Sequence, residues 1–160
     1  MKSSNHEVHR TALKRLIYTS RATREFSLPE HEAMRRDFAR RNRDRDVTGA
    51  LVTVGSRFLQ VLEGSPATLD SLLEVIRADD RHEDLVVVYE ETTGARRFAA
   101  WRMALITLER TVDSPDQNAG LRRLLEAQFT GERCGDDGRA DADSLVAELA
   151  GYLLRAAARD

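Results

Sequence analysis

The stretch V-T-G-A-L-V-T-V-G-S-R-F-L-Q-V-L-E-G-S-P, residues 47–66, decides the fold. Val47–Val54 is rich in β-branched residues and reads as a strand. Gly55-Ser56 is a tight-turn signal, and Arg57–Glu63 returns as a second strand, so the two make a hairpin. Ser65-Pro66 then supplies an N-cap and a proline for the first helical position. Leu69, Leu72, Leu73 and Ile76 follow at i, i+3, i+4 and i+7, the stripe of an amphipathic helix.

Working outward, Leu13–Ser20 (L-K-R-L-I-Y-T-S) reads as a strand. Ser27-Leu28-Pro29-Glu30 is a helix start, with proline in the first turn and Glu three residues after Ser. That helix is expected to run to about Arg41, with Met34 and Phe38 on one face. Leu85–Tyr89 reads as a fourth strand and Trp101–Thr107 as a fifth. The order β-α-β-β-α-β-β predicts an α+β, ferredoxin-like sandwich: a mixed five-stranded sheet with two helices on one face. On the third strand Phe58 and Leu62 point one way, Leu59 and Val61 the other. Both sheet faces are therefore apolar, and the two body helices cover only one of them.

The C-terminal part is the candidate cover for the second face. Ser114-Pro115-Asp116-Gln117 resembles a capping box and precedes Leu121, Leu124, Leu125 and Phe129. Residues 131–143 are a polar, Gly- and Asp-rich loop. Leu145, Leu149 and Leu153 then repeat every four residues, with Val146 and Tyr152 alongside. Two amphipathic helices are expected, packed on the sheet or offered as a partner or dimer surface. Charge marks the same division: residues 1–110 hold 19 basic and 17 acidic side chains, residues 111–160 hold 6 and 10. A body over 11–110 and a helical extension over 111–160 are the expected units.

Composition narrows the function. The 160 residues amount to one ordinary domain, or a small one with an appendage. A net charge of −2 argues against a general polyanion binder. The one cysteine, Cys134, excludes an intrachain disulfide and a Cys-rich zinc site, and no nearby His or basic pair activates it. No metal-spaced His/Cys cluster, phosphate-cradling Gly loop or nucleophile elbow occurs. The first twenty residues lack the apolar run of a signal peptide, and no stretch approaches the roughly 20 apolar residues of a membrane span, so a cytoplasmic location is expected.

A few polar side chains remain to carry chemistry. Gln60 sits mid-strand on the face of Phe58 and Leu62. Buried there, its amide needs partners of opposite sign at its two ends, and a half-turn or tautomer shift swaps donor for acceptor. The alternative is a glutamine at the wet end of that face. Tyr18, in phase with Leu16 and Ser20, is either a core tyrosine with a bonded hydroxyl or a donor of an electron and a proton together. Asn42 is a helix C-cap or a ligand contact. Trp101 and Met103 are expected to share one face of the fifth strand, as core or as cofactor lining. Arg81 and His82 end the second helix as D-D-R-H (79–82), as a solvated terminus or as an anion contact. Singly each bland reading is strong, but together these residues converge on one apolar slot beneath the helices.

In these residues the sequence resembles the BLUF family of flavin-using blue-light sensors. The resemblance covers Leu13 to Leu108 and rests on L-I-Y-T-S (16–20), N-R-D-R-D-V-T-G-A-L (42–51), F-L-Q-V-L-E-G (58–64), I-R-A-D-D-R-H (76–82) and R-R-F-A-A-W-R-M (96–103). It implies a flavin, FAD with FMN as the alternative, held non-covalently between the two body helices. Tyr18 would be the photoactive donor of an electron and a proton. Gln60 would stand between that tyrosine and the ring, rearranging to donate to the flavin C4 carbonyl and so shift absorption to the red. Asn42 would bond the pyrimidine side, Ile76 would pack on the ring, and Arg81 and His82 would contact the flavin or its ribityl-phosphate side. Trp101 and Met103 would relay the change. Phe38 departs from the small polar residue that some members carry four positions before the asparagine.

The implied activity is a photoreceptor switch that consumes nothing, not an enzyme. Residues 111–160 leave no room for a cyclase, phosphodiesterase or DNA-binding unit, so the expected output is contact with a downstream effector protein or a change in self-association, as a dimer or larger oligomer. Three rivals share the element order. An RNA-binding domain would use Tyr18 and Phe58, but F-L-Q-V-L-E-G lacks its basic and aromatic pattern. A small acylphosphatase-like enzyme would need a Gly-rich anion loop before a helix. A dimerisation module would bind no flavin.

Overall fold

The computed structural model describes residues 12–108, 119–131 and 139–158. Its elements are β1 (Leu13–Ala22), α1 (Leu28–Asp44), β2 (Thr48–Val54), β3 (Arg57–Gly64), α2 (Pro66–Arg77), β4 (His82–Thr93), β5 (Ala104–Leu108), α3 (Ala119–Thr130) and α4 (Arg139–Ala157). The strands form one sheet in the order β4-β1-β3-β2-β5. The β1/β3, β1/β4 and β2/β3 pairs are antiparallel and β2/β5 is parallel. This is the mixed, ferredoxin-like sheet expected from the element order.

Local chemistry sets the element ends. Ser27 and Glu30 form a complete capping box at α1, and Ser65 caps α2 by accepting from the Thr68 N–H. The hairpin turns on Gly55, whose φ of +59° suits glycine. Gly49 answers a different demand: a Cβ there would lie 2.0 Å from the Val61 carbonyl oxygen on the paired strand.

Two cores lie on the two faces of the sheet. Leu16, Tyr18, Leu51, Phe58, Leu62 and Met103 form one, beneath Leu69 and Leu72 of α2. Ile17, Val52, Leu59, Val61 and Ile106 form the other, together with Leu121 and Leu125 of α3 and Leu145 and Leu149 of α4. The extension thus covers the second face, as the two-sided apolar pattern of β3 requires. That is also the face an RNA-binding domain of this order leaves open.

Several expectations are corrected. β5 starts at Ala104, not Trp101, because the chain turns at Phe98 and bends through Arg102-Met103. The Trp101 N–H donates to the Phe98 carbonyl (2.9 Å) and the Trp101 carbonyl accepts from the Gly49 N–H (3.1 Å). Alternation needs extended backbone, so Trp101 and Met103 do not share a face. β4 runs well beyond Leu85–Tyr89, since β1 pairs with it from Leu13↔Thr93 to Ala22↔His82. α4 starts at Arg139 inside the expected 131–143 loop, with Arg139 and Asp143 paired one turn apart (3.9 Å). The expected helix start at Ser114, the body–extension seam and Cys134 lie outside the described residues.

Candidate functional site

A pocket opens between α1, α2 and the sheet, with about 670 Å³ of empty space that is partly continuous with solvent. Tyr18, Asn42, Gln60, Ile76, Arg81 and His82, all expected at the site, line it together. Leu51, Phe58 and Leu72 supply apolar wall.

Tyr18 and Gln60 face each other across the β1/β3 pair. Both are about 96% buried, each being 4% exposed. The Tyr18 hydroxyl donates to Gln60 Oε1. Gln60 Nε2 donates to the Met103 sulfur (3.5 Å), a weak acceptor. Burial pushes the Tyr18 phenol far above its ordinary pKa, and the nearby Asp79 charge adds to the effect. A phenol held neutral in this way keeps its proton unless an electron leaves as well.

Asn42 closes the other end of the pocket. Its Nδ2 donates to the Arg102 carbonyl (2.8 Å), and its backbone carbonyl accepts from the Val47 N–H (2.8 Å). Its Oδ1 has no hydrogen-bond partner among the described residues. Asn42 therefore joins the end of α1 to the segment between Trp101 and Met103.

His82 is used internally. Nε2 lies 2.6 Å from the Ile76 carbonyl and Nδ1 lies 2.8 Å from Ser20 Oγ. In the neutral ring Nε2–H donates to Ile76 and Nδ1 accepts from the Ser20 hydroxyl. What His82 presents to a ligand is its ring, 6.2 Å from that of Tyr18. Arg81 makes a two-pronged pair with Asp79 (2.5 and 2.9 Å) and lies 5.2 Å over the Phe38 ring. The Arg81 guanidinium holds the Asp79 carboxyl below its usual range.

Sequence reasoning missed Asp79, Arg41 and Arg45 as lining residues. All three lie at helix ends, where charge reads as a solvated terminus. Two expected residues do not line the pocket: Met103 lies behind Gln60 in the core on the pocket side, and Trp101 packs, half-buried, on the core beneath α3 and α4.

The BLUF family, described as sensors of blue-light using FAD, matches residues 13–104. The chain belongs to the BLUF family. Among relatives, photoactivated adenylate cyclase subunit beta of Euglena longa is 33% identical over 118 residues, covering 73% of this chain and 14% of that protein. The blue light- and temperature-regulated antirepressor BluF of Escherichia coli K12 is 35% identical over 96 residues, 60% of this chain and 24% of that one. The chain thus spans a small part of the length of these BLUF relatives. The dark-state structure of BlrB, a BLUF protein, aligns with a TM-score of 0.68 and 26% identity over 89% of this chain and 98% of that chain. Klebsiella pneumoniae BlrP1, in a structure with FMN and cyclic diGMP, aligns with a TM-score of 0.59 and 30% identity over 75% of this chain and 35% of that one.

BLUF domains bind a flavin, and the pocket suits one. Its walls are mainly apolar, as a flat aromatic ring system requires. Gln60 brings two amide N–H donors to it, with a thioether as acceptor, and Asn42 brings a carbonyl oxygen without a partner among the described residues. A heterocycle with carbonyl and N–H edges satisfies both better than sulfur or bulk apolar contact does. Among the described residues, no helix is long and apolar enough to cross a membrane.

Proposed function

We propose that the chain is a reversible light switch in which Tyr18 and Gln60 carry the photochemistry. The observation that carries this reading is the buried hydrogen-bonded chain from the Tyr18 hydroxyl to Gln60 Oε1 and from Gln60 Nε2 to the Met103 sulfur. Asn42, Ile76, Arg81 and His82 would hold the flavin. A bound flavin supplies a ring that absorbs blue light and, once excited, accepts an electron.

Tyr18 is the electron and proton donor. Its O–H bond breaks as the electron leaves, and the proton has Gln60 Oε1 as its immediate acceptor. When electron and proton return, Tyr18 is restored and Gln60 is left rotated or tautomerised. Its donor and acceptor ends are then exchanged with respect to Tyr18 and Met103. No atom is consumed.

A neutral hydrogen bond is worth only about 0.5–1.5 kcal/mol net. Gln60 therefore acts on an element that is already near balance. The segment 101–103 suits that task, because Met103 touches Gln60 while Trp101 packs against the core of α3 and α4. We place the sensor in residues 11–110 and the output in 111–160, read by an effector protein or by a second copy of the chain.

The test is optical. The purified chain should be yellow with an oxidised-flavin spectrum that shifts to the red under blue light and recovers in darkness. A colourless chain that also fails to take up added flavin would sink the reading.

A further inference from the structure

One buried carboxylate takes no part in the chemistry just described. Glu63 is 0% exposed. It lies on β3 three residues after Gln60, hence on the sheet face away from the pocket. Its Oε1 accepts from Thr48 Oγ1 (3.2 Å) and from the Phe98 N–H (2.9 Å). Its Oε2 accepts from Arg15 Nε (3.0 Å) and from the Arg97 N–H (2.8 Å). Three strands and the β4–β5 connection therefore meet on one side chain.

Neighbouring contacts reinforce the tie. Arg15 also reaches Glu91 and the Ala95 carbonyl (3.2 Å). Arg96 donates to Thr48 Oγ1 (2.9 Å) and to the carbonyls of Glu63 (3.1 Å) and Asp46 (2.8 Å). Residues 95–98 are thus fixed to the sheet. Beyond Phe98 the chain turns, and a short arm outside any strand carries Trp101 to one core and Met103 to the other.

We propose that Glu63 is a positioning residue of the light response. By holding the main chain of Arg97 and Phe98 to the sheet, its carboxylate gives residues 99–103 a fixed pivot about which they move as one body. A change at Met103 beside Gln60 then reaches Trp101. Without the clamp, Met103 relaxes alone: recovery is faster and Trp101 no longer follows. A main-chain clamp of this kind needs two acceptor oxygens, which Gln lacks, because its NH₂ end would face an N–H donor.

The inference rests on the photoreceptor reading, and the two fail in different measurements. The experiment uses the full flavin-loaded chain and its variants Glu63→Gln and Thr48→Val, the second removing one hydroxyl donor from the clamp at nearly constant volume. Trp101 is the one tryptophan of the chain, so its emission in darkness and under blue light reports on the arm directly. Glu63→Gln should keep the flavin and the red shift, recover about threefold faster or more, and lose most of the light-dependent change in Trp101 emission. Thr48→Val should move both readouts in the same direction by less, and it decides the matter if Glu63→Gln does not fold. A purely structural role would lower thermal stability without moving these two readouts. Any flavin-loaded variant that keeps the parent's recovery rate or its Trp101 response overturns the proposal. A parent chain without flavin or without a shift overturns the photoreceptor reading itself, before any variant is compared.

Discussion

Trp101 and Met103, two residues apart, pack into opposite cores of the sheet. Met103 is 2% exposed and accepts from Gln60 Nε2, while Trp101 packs with the core of α3 and α4. The bend at 102–103 makes this possible, and Asn42 holds it through the Arg102 carbonyl (2.8 Å). The two residues should therefore separate two functions. Met103→Leu conserves volume and removes the sulfur acceptor, so stability should fall by less than about 1.5 kcal/mol. The red shift should persist with an altered recovery rate. Trp101→Phe should leave the spectrum and recovery nearly unchanged while loosening the packing of α3 and α4, measured by hydrogen exchange.

Removing the Tyr18 hydroxyl tests the donor. Tyr18→Phe leaves Gln60 Oε1 without its donor in a buried site, a loss of about 1–3 kcal/mol in stability. Flavin should stay bound, because the ring of residue 18 remains in the wall. The red shift should vanish, and a light-minus-dark spectrum reads it directly. A normal photocycle in Tyr18→Phe would assign the donor role to another residue.

The hairpin and the helix after it were legible because their signals are local: β-branched runs, Gly55-Ser56 and Ser65-Pro66. The pocket residues were legible because alternation places Tyr18 and Gln60 on one face of adjacent strands. Trp101 was not, since its bend depends on Gly49 and Phe98, which are distant in sequence or outside any strand. The length of β4 was hidden for a related reason. Its polar ends, such as Glu83 and Thr92, are strand only through their register with β1. Asp79 and the internal bonds of His82 were hidden because a helix terminus shows its charges, not their partners.

Asp79 gives a pH dependence whose sign follows from Arg81. The carboxyl is lowered in the folded chain, chiefly by its hydrogen bond from Arg81. The stability it contributes is present above its ordinary, unfolded-state pKa and is lost as pH falls through the lower folded value. The pair is partly exposed, so its worth is under about 1 kcal/mol. Asp79→Asn should then lower thermal stability slightly at neutral pH, with the difference from the parent shrinking in acid. It also removes a charge that raises the Tyr18 pKa. Tyr18 should ionise at lower pH in the variant yet remain above an ordinary tyrosine, because burial is the larger cause. Ultraviolet titration of parent and Asp79→Asn chains, each subtracted from its Tyr18→Phe counterpart, isolates this phenol from Tyr89 and Tyr152.

Leu145 tests whether the extension belongs to the fold of the sensor. It is fully buried in the core that α4 shares with Leu59 and Val61 of β3. Leu145→Ala removes buried methyl groups and leaves a cavity, for a loss of about 2–5 kcal/mol. The pocket lies on the other face of the sheet and shares no residue with this core. The variant should therefore melt earlier and expose α3 and α4 to protease while still binding flavin with the parent's spectrum. If the red shift persists but light no longer changes protection of the extension, the route from Gln60 runs through that core. Loss of flavin together with loss of the helices would instead make the two faces one cooperative unit.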